Sequence, residues 1–251
     1  MNEHPHVLDR TLVIRARRDT VFSFFTDSTL WAAWWGAGSE IDARATGRMR
    51  IRHPNGLEAF GEVVEVTAPS RIVFTYATPS GQPANSLVTI ELEAHEDGTR
   101  LHLTHAFVTA PERDAYVQGW RFHLSLFANS VSDTVNAGAD QVVDRWFSAW
   151  SEVDADRRDA ELAAVAAPDV RFFDRYSCIA GLDELRAHVA AVHRFIPGRR
   201  LTRRGPVRQC QWCLLADWTA VGADGSEQGS GTNLFVLDAD RRIASVTGFW
   251  S

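Results

Sequence analysis

The chain has 251 residues, enough for one large domain or two ordinary ones, and its 45% hydrophobic and 23% charged residues are the balance of a soluble globular protein. A net charge of -6 gives no electrostatic reason for a nucleic acid or an anionic membrane as partner. No apolar run is long enough to span a bilayer and the polar start from Met1 to His6 is unlike a signal peptide, so a cytoplasmic protein is expected. The sequence contains no lysine, which removes Schiff-base chemistry and the phosphate-binding lysine of a P-loop. Its cysteines, Cys178, Cys210 and Cys213, are sparse and odd in number, which suits a reducing compartment. Cys210-Gln211-Trp212-Cys213 has the outward form of a redox or zinc pair. It lies in a strand-like run, where positions three apart point to opposite faces, so it is read as unliganded and no metal or cofactor is expected.

From Leu8 to Ala16 the residues alternate and predict a strand. Asp19 or Thr20 then caps a helix carrying Val21, Phe22, Phe24 and Phe25, and a second short helix holds Leu30, Trp31, Trp34 and Trp35 before Gly36. Between Glu40 and Phe107 the pattern is all strand, cut by Pro54-Asn55-Gly56, Pro69-Ser70 and Pro79-Ser80-Gly81. In the clearest pair, Val88, Ile90 and Leu92 return as Leu101, Leu103, His105 and Phe107 through the turn Glu96-Asp97-Gly98. Pro111 precedes a long helix with Tyr116, Trp120, Phe122, His123, Leu124, Leu126 and Phe127.

Strand, two short helices, a meander and a closing helix describe a curved sheet wrapped around one helix. This order resembles the START-like (SRPBCC) helix-grip fold, and more narrowly the family named for the activator of the 90-kDa heat-shock-protein ATPase, also grouped with polyketide cyclases. The residues carrying the likeness are Val21 to Trp35, Gly61-Glu62-Val63-Val64-Glu65-Val66, Gly98 to His105, and Gly119-Trp120, over residues 8 to 132. The resemblance implies a cavity between sheet and long helix for an apolar small molecule. Trp31, Trp35, His105 and Trp120 are candidates for its wall, and equally for a core. His105 shares a strand face with Leu101, Leu103 and Phe107 and should point inward, toward a backbone carbonyl or a substrate.

Between Asn129 and Ala139 the large apolar residues drop out, which predicts a short hinge separating domains 1–135 and 136–251. Val142, Val143, Trp146, Phe147 and Trp150 then make an amphipathic helix, and Asp154-Ala155-Asp156 caps a second with Leu162 and Val165. The apolar run after Pro168 ends in Phe172-Phe173-Asp174, Gly181 marks a turn, and a helix follows to Phe195. Strands over about residues 200–209, 211–221, 228–237 and 243–250 complete an α+β cone.

Helices first and a meander after resemble the nuclear transport factor 2-like superfamily, most of all its SnoaL-like members, with ketosteroid isomerase more distant. The likeness covers residues 138 to 251 and rests on Trp146 with Trp150, the Asp154 to Arg158 turn, Phe172-Phe173-Asp174, Gly181 with Leu185, Phe195-Ile196-Pro197-Gly198 and Arg242 to Trp250. It implies that Asp174 is a general base and that Asn233 donates to an oxyanion, with Trp146 in place of that hole's tyrosine; Arg175 stands where the isomerase has proline. It also implies a homodimer through the exposed sheet face. A carboxylate at a strand end among aromatics suits proton transfer near neutral pH, and capping a turn is the other reading of Asp174. Asn233 and Phe235 share one strand face, as do Val246, Gly248 and Trp250. These are expected to face Trp146, Trp150 and Tyr176 inside the cone, with His188 on the neighbouring helix as a further binding or acid-base group.

The expected fold class is thus α+β, a START-like helix-grip domain followed by a nuclear transport factor 2-like cone. The expected function is binding of apolar small molecules in hydrophobic cavities, with cofactor-independent isomerase, cyclase or hydratase chemistry at Asp174. A non-catalytic binding or sequestering protein is the alternative, and a stress-related co-chaperone role the third reading.

Overall fold

The computed structural model describes residues 4–83 and 85–251, in two compact units that meet in sequence at Thr134 and Val135. The first unit runs β1 (His6–Ile14), α1 (Arg18–Ser23), α2 (Ser28–Trp35), β2 (Glu40–Ile41), β3 (Arg48–Arg52), β4 (Glu58–Thr67), β5 (Arg71–Tyr76), β6 (Ser86–His95), β7 (Gly98–Phe107) and α3 (Ala110–Val135). Its seven strands lie in the order β1-β7-β6-β5-β4-β3-β2, all antiparallel. The two-residue period sends Val88, Ile90 and Leu92 of β6 and Leu101, Leu103, His105 and Phe107 of β7 to one buried face, with Val88 opposite His105 and Ile90 opposite Leu103. At Gly61 a Cβ would stand 1.8 Å from the Thr75 carbonyl oxygen, so this part of β4 approaches β5 more closely than any side chain allows.

Helix α2 starts at Asp27, whose Oδ1 accepts the N–H groups of Thr29 and Leu30 at 2.8 and 3.0 Å. Its eight residues bury Trp31, Trp34 and Trp35. Phe127 of α3 packs into this cluster, with ring centroids 4.9 Å from Phe25, 5.2 Å from Trp34 and 5.9 Å from Phe24. The expected hinge is not one over most of its length, since α3 continues to Val135 with Val131 and Ser132 fully buried. Small side chains read as a loop in sequence, yet they are also what lets a helix pack closely. Only 136–138 interrupts, where Gly138 takes a left-handed φ of 79°.

The second unit runs α4 (Ala139–Ser151), α5 (Ala155–Val165), β8 (Ala166–Phe173), β9 (Cys178–Ala180), α6 (Leu182–Phe195), β10 (Arg200–Cys210), β11 (Cys213–Val221), β12 (Glu227–Leu237) and β13 (Ile243–Trp250). The sheet order is β10-β11-β12-β13-β8-β9, antiparallel except for the parallel pair β13 and β8. Val143, Trp146, Phe147 and Trp150 of α4 share one core with Val170, Phe172, Leu214, Ala216, Phe235 and Val246. The buried Arg158 of α5 donates to the carbonyls of Glu152 and Val153, satisfying the chain just beyond α4. Both units are α+β, as expected. Cys210 and Cys213, however, face each other across the two-residue turn Gln211-Trp212 instead of lying on opposite faces of one strand; both thiols are exposed and free. On β11 the inner face is Leu214, Ala216, Trp218 and Ala220, and Asp217 points outward to accept from the Thr232 hydroxyl at 2.6 Å.

Candidate functional site

In the first unit α3, α2 and the β3–β4 hairpin enclose a cleft of about 680 Å³, a volume suited to a small organic ligand. Five large aromatic rings stand in its wall: Trp35 from α2, Tyr76 from β5, and Tyr116, Trp120 and Phe122 from α3. The helical period explains why α3 contributes so many, since positions 116, 119, 120, 123 and 126 fall on one stripe. Gly119 leaves that stripe open, because a Cβ there would meet nothing within 4 Å. His53 comes from the hairpin turn, which is closed by the His53 N–H donating to the Leu57 carbonyl at 2.8 Å. It faces His123 across 4.9 Å, the rings inclined at 41°.

These two histidines stand among the aromatic rings of the wall, whose other polar groups are Asn55, Glu58, Thr78 and the phenols of Tyr76 and Tyr116. Burial holds the His53 imidazole below its ordinary pKa, and burial followed by the neighbouring His53 pushes His123 down to about 4. Nδ1 of His123 is buried with no partner among the described residues. Glu58 on the rim is paired with Arg50 at 2.5 Å. Tyr76 and Tyr116 are both raised by burial, so their phenols stay protonated.

Of the four residues the sequence left open between cavity wall and core, Trp35 and Trp120 stand on this cleft and Trp31 and His105 do not. Trp31 is fully buried and its Nε1 donates to the Arg50 carbonyl at 3.2 Å. His105 stands behind the wall, where Trp120 Nε1 donates to its Nδ1 at 2.9 Å. Its Nε2 lies 2.9 Å from Ser86 Oγ, which in turn donates to the Tyr76 carbonyl at 2.5 Å. Both ring nitrogens are therefore used by the protein itself, and burial pushes the pKa down to about 3. Alternation correctly turned His105 inward but could not distinguish core from cleft.

In the second unit Asp174 follows the last residue of β8 and is half-buried. Its Oδ1 accepts the Tyr176 N–H at 2.8 Å, a turn-closing bond, and its Oδ2 accepts Trp250 Nε1–H at 3.1 Å. Asn233 is buried, with Oδ1 accepting Trp218 Nε1–H at 2.9 Å. Gly248 brings the two together: a Cβ there would lie 3.2 Å from both the Asp174 Cβ and the Asn233 Oδ1. Trp250 stacks edge-on against Trp218 at 4.9 Å, and His188 Nε2 lies 3.3 Å from Ser177 Oγ. Burial lowers the His188 pKa, with the Asp174 charge pulling the other way.

The remaining expected residues separate. Trp146, Phe235 and Val246 are buried in the core, Trp146 meeting Phe235 at 6.0 Å and Phe172 at 6.1 Å. Trp150 packs on Phe172 at 5.3 Å and on His188 at 5.7 Å. Tyr176, expected inside the cone, is 71% exposed and touches only the outer edge of this group through Trp250 at 5.4 Å. The turn that lets its N–H reach Asp174 leaves its side chain on the surface. His53, Tyr76, Tyr116, Phe122 and His123 were not singled out from sequence. The helical stripe gave a signal for three of them, but none linked His53 to His123.

Among the described residues no three His, Cys, Asp or Glu side chains converge as a metal site would, and no helix is long and apolar enough to cross a membrane. Residues 15–131 match the family model of Activator of Hsp90 ATPase homolog 1-like protein. No curated protein matches the sequence. Similar solved structures include a SnoaL-like family protein from Agrobacterium tumefaciens, at 23% identity and TM-score 0.44 over 46% of this chain and 98% of that one. CalU16 from Micromonospora echinospora is similar at 25% identity and TM-score 0.42, over 50% of this chain and 74% of its own. Ms6760 from Mycobacterium smegmatis is similar at 18% identity and TM-score 0.45, over 52% and 91%. The family match thus lies within the first unit, over residues 15–131.

Proposed function

We propose that the protein binds an apolar small molecule in the cleft between α3 and the sheet of its first unit. The observation that carries this reading is the cleft itself, about 680 Å³ walled by Trp35, Tyr76, Tyr116, Trp120 and Phe122. Flat rings supply large contact area to an apolar guest, and water displaced from them favours binding. Gly119 provides the test, because a side chain placed there enters open space. Gly119→Trp should fill the cleft and weaken naphthalene binding more than about tenfold by calorimetric titration. Its melting temperature should hold or rise, since a helix-interior glycine costs about 1 kcal/mol. Equal binding by variant and parent, or no binding by the parent, would refute the reading.

A second reading, acid-base chemistry of isomerase or cyclase type, is favoured by the meeting of Asp174 and Asn233 over Gly248. With Asn233 Oδ1 occupied by Trp218, its amide NH2 is the group left to donate to a developing oxyanion. Asp174 Oδ2, held by Trp250, would accept the proton from carbon. Asp174→Asn should slow isomerisation of a β,γ-unsaturated ketone about 100-fold or more with an unchanged circular dichroism spectrum. A variant as fast as the parent removes Asp174 from the chemistry.

A further inference from the structure

We propose that the ligand of the cleft is a flat apolar molecule bearing a weakly acidic hydroxyl, a phenol or enol, and that the His53–His123 pair holds that hydroxyl. The inference rests on the binding reading above and names the chemistry of what is bound.

The pair is built into the wall. His123 lies 4.5 Å from the Trp35 ring and His53 5.6 Å from it, so the three rings form one cluster facing the cleft. Nδ1 of His123 is buried and unpartnered among the described residues, which leaves Nε2 as the nitrogen of that ring the cleft can reach. His105, a short distance behind the wall, shows the contrast. A histidine serving only the core has both nitrogens paired with neighbours.

Because burial lowers both imidazoles, each is neutral at pH 7 and offers one donor and one acceptor nitrogen. The charged and titratable groups around the cleft leave this unchanged. Glu58 from β4 is neutralised by Arg50, with Arg52 at 3.9 Å, and Tyr76 and Tyr116 remain protonated phenols. A hydroxyl matches a neutral imidazole because it can donate to one nitrogen and accept from another. A carboxylate could accept from one imidazole N–H but would bring a charge that neutral rings do not offset, and a pure hydrocarbon would cover the nitrogens without pairing them.

Three molecules of one shape separate these cases: naphthalene, 2-naphthol and 2-naphthoate, titrated calorimetrically against the full chain at pH 7.5. The expected result is that 2-naphthol binds about fivefold to tenfold tighter than naphthalene, the worth of one neutral hydrogen bond. In His123→Phe, which keeps the ring and removes the nitrogens, that preference should vanish while naphthalene binds as before. His53→Phe, at the hairpin turn, supplies the same comparison if His123→Phe does not fold. Equal binding of naphthalene and 2-naphthol by the parent, tightest binding of 2-naphthoate, or a preference surviving in the variants each overturns the proposal while leaving apolar binding in place. No binding by any of the three overturns both.

Discussion

The fully buried His105 and the half-buried His123 both have imidazoles lowered far from the ordinary value of 6.5, one to about 3 and the other to about 4. In the unfolded chain both titrate near 6.5, so between that pH and the folded values the unfolded state binds more protons. Their contribution to stability is therefore fully present above pH 6.5 and is lost as the pH falls toward 4 and 3. By pH 5 each should have cost about 1 to 2 kcal/mol. Urea midpoints should fall between pH 7.5 and pH 5, and His123→Phe should flatten part of that fall. A midpoint independent of pH over this range would contradict the assignment of both as neutral. His102 works in the opposite sense: its hydrogen bond to Asp9 raises its pKa, so its stabilisation is fully present below 6.5 and fades as pH rises through the folded value. It lies on the surface, where such pairs contribute little.

The element that links fold and site is α3. One stripe of it carries Tyr116, Trp120 and His123 to the cleft, and the next turns carry Phe127 and Val131 to the core. Anchoring and lining are thus tied, since the rings that face the cleft are held by the rings that do not. Removing the anchor should be costly: Phe127→Ala opens a hole among Phe24, Phe25 and Trp34 and should destabilise the unit by about 3 to 5 kcal/mol. Chemical denaturation measures this directly, and a loss below 1 kcal/mol would mean that α3 is held elsewhere. The sequence showed that helix and its apolar stripe clearly. It did not show that α3 runs on through the small residues after Asn129, because patterning weighs side-chain size and the helix here packs with Ser132 buried.

At the scale of the whole molecule two cores are built separately, one on Phe127 and its neighbours, the other on Trp146, Phe172 and Phe235. What the sequence determined by itself was what repeats along the chain: the two-residue alternation of β6 and β7, the helical stripes of α3 and α4, the strand that ends at Asp174, and hence two α+β units. These signals are local, since the backbone period alone decides which side chains share a face. The tertiary structure alone decided which inward faces become core and which become cleft. It put Trp31 and His105 behind the wall and Trp35 and Trp120 on it, and it turned Tyr176 out to solvent. It also joined His53 to His123, from a hairpin turn and a distant helix. The physical reason is that a cavity is space left between elements, fixed by how curved sheet and helix fit together, and no single segment of chain encodes it.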